Sequence, residues 1–182
     1  MPTIIQKDNA LLREKAAEVP DGQLTSPRIA KIIKELKVAL SSQEDGVAIA
    51  APQIGESVRI FVVSEKVFEL SDKVEDRRKQ QKKASQRAFK YLIFINPTIT
   101  KLSRQKKLME EGCLSVRWLY GKVKRSTKVS IRAYDEQGKP FERGASGLLA
   151  QVFQHETDHL DGVLFIDKAV DLHEMNPQEI DL

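Results

Sequence analysis

The sequence has almost no cysteine: Cys113 is the only one in 182 residues. One thiol cannot close an internal disulfide, which excludes disulfide-stapled secreted scaffolds and points to a reducing compartment, expected here to be the cytoplasm. Long apolar runs are missing too. None approaches the roughly 20 residues that a helix needs to cross a bilayer, so no membrane partner is expected. The N-terminal "MPTIIQKDNALLREKAAEVP" lacks the charged, apolar, small order of a signal peptide, and its acidic residues from Asp8 onward disfavour a transit peptide. An organellar location stays open, because a leader trimmed beforehand leaves no trace. There is no internal repeat and no Gly/Ser-rich linker. Charge imbalance is slight: a formal net charge of +4 permits weak attraction to nucleic acid without requiring it, and DNA is not expected as a partner.

What is present suits one well-cored domain over residues 1–182, with 41% hydrophobic and 31% charged residues. "SPRIAKIIKELKVALSSQ" carries the clearest helical period. Ser26 is placed to cap it, Pro27 suits its first turn, and Ile29, Ile32, Ile33, Leu36 and Leu40 form one apolar stripe. "VRIFVVS" (residues 58–64) and "YLIFINPTIT" (residues 91–100) are rich in β-branched and aromatic residues and read as strands. "KVKRSTKVSIRAYDEQGKPFERGA" reads as a β-hairpin turning at Gln137 and Gly138, and a helical pattern resumes at Ser146. The expected class is α+β, with mixed or antiparallel strands packed around a central C-terminal helix.

Two polar segments interrupt this plan. A charged insertion near residues 65–90 has a basic second half containing Arg77, Arg78, Lys79, Lys82, Lys83, Arg87 and Lys90. It reads either as an RNA-contacting arm or as a solvated insertion, and the second is favoured because charge runs are usually solvated surface. A short polar tail near residues 171–182 holds His173, Glu174 and Glu179 with little to order them.

Only three histidines occur, and two lie within the single stretch "QVFQHETDHLDG". On a helix His155 and His159 share a face and can converge on one ion. Neutral imidazoles are good ligands for zinc or ferrous iron. Glu156, one step around the helix, can reach water on such an ion without coordinating it. Leu148, Leu149, Val152 and Phe153 continue the apolar face, so the helix is expected to be buried, where two imidazoles and a carboxylate are costly without partners. The alternative is a structural helix whose histidines only form hydrogen bonds.

A third ligand decides the chemistry. A third histidine six residues after the second is excluded, since Phe165 stands there although Gly162 fits the intervening glycine. Glu174 and Glu179 lie in the polar tail, and His173 reads as a solvated surface residue. Cys113 in "EEGCLSV" remains. A lone cysteine is by default a small buried hydrophobe, yet a thiolate with two imidazoles leaves a fourth position open for water, as catalytic sites require.

"GVAIAAPQIG" (residues 46–55), "EGCLS" (residues 111–115) and "QHETDH" (residues 154–159) together resemble the three signature motifs of the peptide deformylases, in that family's order. "KDNALLREKAAEV", "YGKVKR" and "DGVLF" extend the likeness over nearly the whole chain apart from the insertion and the tail. The resemblance implies a catalytic domain of deformylase fold, with Cys113, His155 and His159 as ligands. Their ion would be divalent, ferrous iron (Fe2+) natively, with zinc, nickel or cobalt as substitutes. It implies Glu156 as acid–base, Gln53 and the Leu114 N–H as oxyanion donors, and Gly46, Val47 and Ala48 beside the substrate chain. It further implies that the substrate is the N-formyl-methionyl end of nascent peptides, hydrolysed to formate and a free amine.

Glu111 and Arg125 match positions that form a structural ion pair in the family. Ala48 replaces the family's usual second glycine, and Arg117-Trp118 replace the frequent Pro-Gly after "EGCLSV". The tail lacks the basic C-terminal helix that docks some bacterial members on ribosomes, and on the less favoured RNA-contacting reading the arm Arg77–Lys90 would substitute for it. Two alternatives remain at this point: a zinc metallopeptidase, or a catalytically reduced homologue that binds ribosomes or peptide ends.

Overall fold

The computed structural model of the chain describes residues 2–68 and 91–175. The basic arm Arg77–Lys90 and the tail beyond residue 175 lie outside these residues. Five strands, β1 (Ala48–Ala50), β2 (Ile60–Ser64), β3 (Tyr91–Leu102), β6 (Lys128–Tyr134) and β7 (Pro140–Ser146), form one sheet in the order β1-β2-β3-β6-β7. A second sheet has the order β4-β5-β8, from β4 (Lys106–Cys113), β5 (Val116–Ser126) and β8 (Val170–Glu174). The class is α+β. Every ladder among the described residues is antiparallel, and the one parallel pairing is an isolated bridge between Ala17 and Val58.

Helix α1 (Pro27–Ser41) forms where its apolar period predicts. Ser26 Oγ accepts from the Ile29 N–H at 3.4 Å, and Pro27 sits where its missing N–H costs nothing. Its stripe joins Ile49 of β1 and Ile60 and Val62 of β2 in one buried cluster. Helix α2 (Gly147–Leu160) touches both sheets. Phe153 packs on Phe61 of β2 and Phe94 of β3, with ring centroids 6.3 and 5.0 Å away. Burying one such side chain contributes about 1.5–3 kcal/mol. On its other side, Gln154 accepts from the Ser126 N–H and donates to the Ser126 carbonyl, both at 3.0 Å, which ties the helix to the end of β5.

Two expectations change. The expected hairpin over residues 122–145 divides at Thr127: the first part belongs to β5 in the smaller sheet, and only β6 and β7 form the hairpin. Its turn uses Gly138 at φ +73°, a conformation that favours glycine. The expected polar tail begins with β8, whose residues pair with β5 although every side chain is exposed.

Candidate metal centre

Cys113 ends β4, while His155 and His159 project from one face of α2. One donor atom from each of the three lies within 4.8 Å of the others. Cys113 Sγ is 3.1 Å from His159 Nε2. Tetrahedral coordination by one sulfur and two nitrogens separates donors by about 3.3–3.8 Å. The triad therefore fits a single divalent ion.

Two of the three donors are held from behind. The His155 Nδ1–H donates to Glu111 Oε2 at 3.0 Å, which leaves Nε2 free for an ion. Arg125 grips Glu111 at 2.7 and 2.9 Å and Asp158 at 2.6 Å. Lys168 completes the chain on Asp158 at 2.7 Å. The Ser115 N–H donates to Cys113 Sγ at 3.4 Å and Gln53 Nε2 to the same sulfur at 3.6 Å. Gln53 is itself fixed: the Ala50 N–H donates to its Oε1 at 2.8 Å, and its Nε2 donates to Ser115 Oγ at 3.1 Å.

The electrostatics favour a cation. Burial resists a thiolate at Cys113, but the imidazoles of His159 and His155 overcome it and bring the thiol down to about 5. Burial also opposes charge on Glu111, yet Arg125 and His155 hold its carboxyl at about 2. Although burial pulls the other way, the bonds from Cys113 and Glu111 push His155 well above the ordinary imidazole range. Surroundings that attract a proton this strongly also attract a divalent ion. His159 Nδ1 and Glu156 Oε2 are buried without a hydrogen-bond partner among the described residues, a condition rare in settled structure. Burial raises the Glu156 carboxyl to about 7 against the lowering influence of both histidines. A group so tuned exchanges protons near neutrality.

A cavity of about 320 Å³ opens beside the triad. Gly46, Val47, Ala48, Gln53, Cys113, Leu114, His155 and Glu156, all singled out in the sequence, line it. His159 lies behind it, with 1% of its surface exposed. Gly46 has a packing reason to lack a side chain, since a Cβ there would come within 3.0 Å of Leu40 Cδ1. His173 stays away from the triad, exposed on β8 with Nε2 3.2 Å from Glu110 Oε1. Three supporting residues escaped sequence reasoning. Asp158 lies inside the histidine motif and offered a signal, an acid one helical turn from His155. Ser115 and Gln154 also lie inside the quoted motifs, but their supporting roles could not be read there, because their partners lie 62 and 28 residues away.

The family model of the polypeptide deformylases matches residues 1–175. The chain belongs to this family. The chloroplastic/mitochondrial peptide deformylase 1A of Arabidopsis thaliana is 39% identical over 170 residues, which are 93% of this chain and 62% of that protein. The chain thus spans about three-fifths of that relative's length. The peptide deformylase of Desulforudis audaxviator is 36% identical over 93% of this chain and 94% of its own. Among solved structures, the Met-Ala-Ser-bound class I type b peptide deformylase of Acinetobacter baumannii superposes with a TM-score of 0.73. It is 28% identical, over 91% of this chain and 97% of its own. Metal dependence is a property of the family, and the Cys113, His155 and His159 cluster is where this chain can meet it.

Proposed function

We propose that the protein hydrolyses the N-formyl group from the formyl-methionine that begins a newly made polypeptide, releasing formate. One observation carries this reading: Cys113 and His155 of the triad, Glu156 and the start of the edge strand β1 line a single cavity, with His159 directly behind it. Cys113, His155 and His159 would hold one ion, which when bound acidifies water and polarises a carbonyl oxygen. Ferrous iron is the proposed native metal, and zinc, nickel and cobalt suit the same donors.

The remaining work falls to the chain's own groups. Among the described ladders β1 pairs only with β2, so its outer edge can take an extended peptide by backbone hydrogen bonds, with Gly46, Val47 and Ala48 beside the substrate chain. As water attacks the formyl carbon, Glu156 accepts its proton; as the C–N bond breaks, Glu156 returns a proton to the departing amine. Negative charge gathers on the formyl oxygen, within the province of Gln53 Nε2 and the Leu114 N–H. Loss of one such donor typically costs about 2.7–4 kcal/mol of barrier. A formyl carbon bears only hydrogen, so a narrow site admits it and rejects larger acyl groups.

The Met-Ala-Ser peptide bound by the Acinetobacter baumannii relative is what deformylation of such a substrate would leave, which supports this choice. The proposed setting is the cytoplasm or an organelle. Contact with the ribosome through Arg77–Lys90 belongs to the same proposal, and ribosome pelleting with and without that segment tests it.

The decisive assay is formate release from formyl-Met-Ala-Ser by anaerobically purified, iron-loaded protein. Release of formate, with acetyl-Met-Ala-Ser left intact, is expected. No formate, or cleavage at internal peptide bonds, overturns the reading in favour of a reduced homologue or a metallopeptidase.

A further inference from the structure

Beside Cys113 the β4–β5 ladder slips. Gly112 faces Tyr120 and Cys113 faces Val116, so β4 advances one residue while β5 advances four. Arg117, Trp118 and Leu119 therefore bulge from the hairpin next to the metal centre, where bulges serve to re-aim side chains. Trp118 has φ +65°, a left-handed conformation that L side chains rarely adopt. Such a conformation persists only where the surroundings hold it.

The surroundings here grip it from two sides. Arg117 reaches across to the opposite wall, donating to Asp45 Oδ2 at 2.6 Å and also to Gln43 Oε1. Asp45 immediately precedes Gly46 and Val47, so this bridge ties the bulge to the segment that leads into β1. On the far side the Met175 N–H donates to the Trp118 carbonyl at 2.9 Å, and Leu119 pairs with Glu174 of β8. The guanidinium of Arg117 stands 5.4 Å from the centre of the indole. Arg117 and Trp118 both line the cavity, yet the indole stays 41% exposed. Because Asp45 neutralises Arg117, the wall offers an aromatic surface rather than a free charge.

We propose that Trp118, positioned by Arg117, determines specificity by meeting the side chains that follow the formylated methionine and favouring apolar or aromatic ones. The inference rests on the deformylase reading. In an extended chain the first and second residues beyond the methionine lie about 3–7 Å past it. A chain paired with the β1 edge and reaching the triad would pass the bulge, since Ala48, Cys113 and Trp118 line one cavity. A side chain there can stack on the indole, whereas an acidic one meets the Glu110 carboxylate and a guanidinium already bound by Asp45.

Trp118 is the only tryptophan in the chain, so its fluorescence reports this contact in the unaltered protein. The peptide Met-Phe-Ser, at concentrations that fully inhibit formate release, should shift or quench the emission. Unchanged emission at full inhibition overturns the proposal. In turnover, kcat/KM for formyl-Met-Phe-Ser should exceed that for formyl-Met-Asp-Ser by about three- to tenfold. Trp118→Ala should bring the ratio to about one, chiefly through KM, while Trp118→Phe keeps most of it. Formate release with the same ratio in Trp118→Ala overturns the proposal alone. No formate from either peptide overturns the deformylase reading, and the proposal with it.

Discussion

Glu111 serves His155 and Arg125 at once: its Oε2 lies 3.0 Å from His155 Nδ1 while both carboxylate oxygens accept from the guanidinium. The pair is deeply buried, with side-chain exposures of 2% for Glu111 and 5% for Arg125. A member of the candidate metal triad is thereby oriented by a deeply buried ion pair.

Glu111→Gln should weaken both roles. Metal affinity should fall about 10–100-fold, because the amide is a poorer acceptor for the imidazole N–H. The unpaired Arg125 should cost about 3–5 kcal/mol of stability, offset in part by Asp158. Metal titration and urea denaturation check the two effects separately, and wild-type values in both contradict the assignment.

Glu156→Gln separates binding from chemistry. The carboxylate is not among the three clustered donors, so the variant should keep its metal and its fold. Formate release should drop about 10²–10⁴-fold. Full turnover in a metal-loaded variant refutes the acid–base role.

Asp167 gives the fold an acid-sensitive clasp. Burial alone would raise its carboxyl, but Arg13 and the Leu164 N–H together hold it below the ordinary 3.8. A lowered folded value means that its stabilisation is complete above about pH 4 and disappears as pH falls through the lowered value. Denaturation of wild type and Asp167→Asn across pH 2–6 should show a gap that closes on the acid side. A gap independent of pH contradicts this.

Much of the architecture was legible because it is local. Helix α1 announces itself through a cap, a first-turn proline and an apolar stripe, and β2 and the first half of β3 through largely buried apolar runs rich in β-branched residues. β1 is three residues long, too short to leave a pattern. β4 and β8 are largely solvent-facing strands of the small sheet whose charged residues mask any alternation, Glu111 alone of β4 being buried. The break at Thr127 left no mark because both flanking strands carry the same alternation, and only tertiary packing assigns them to different sheets. At the site, two histidines and Glu156 share one helical turn and are visible together. Cys113 is visible only after the nearer candidates fail. The supports from Ser115 and Gln154 depend on folding that joins distant segments, so no spacing reveals them.

X-ray absorption at the metal edge of the anaerobically purified protein tests the central claim most directly. One sulfur neighbour at about 2.3 Å and two nitrogens at about 2.0–2.1 Å are expected, with the sulfur lost in Cys113→Ala. A metal shell without sulfur, or one unaltered by that substitution, would contradict a site built from Cys113, His155 and His159.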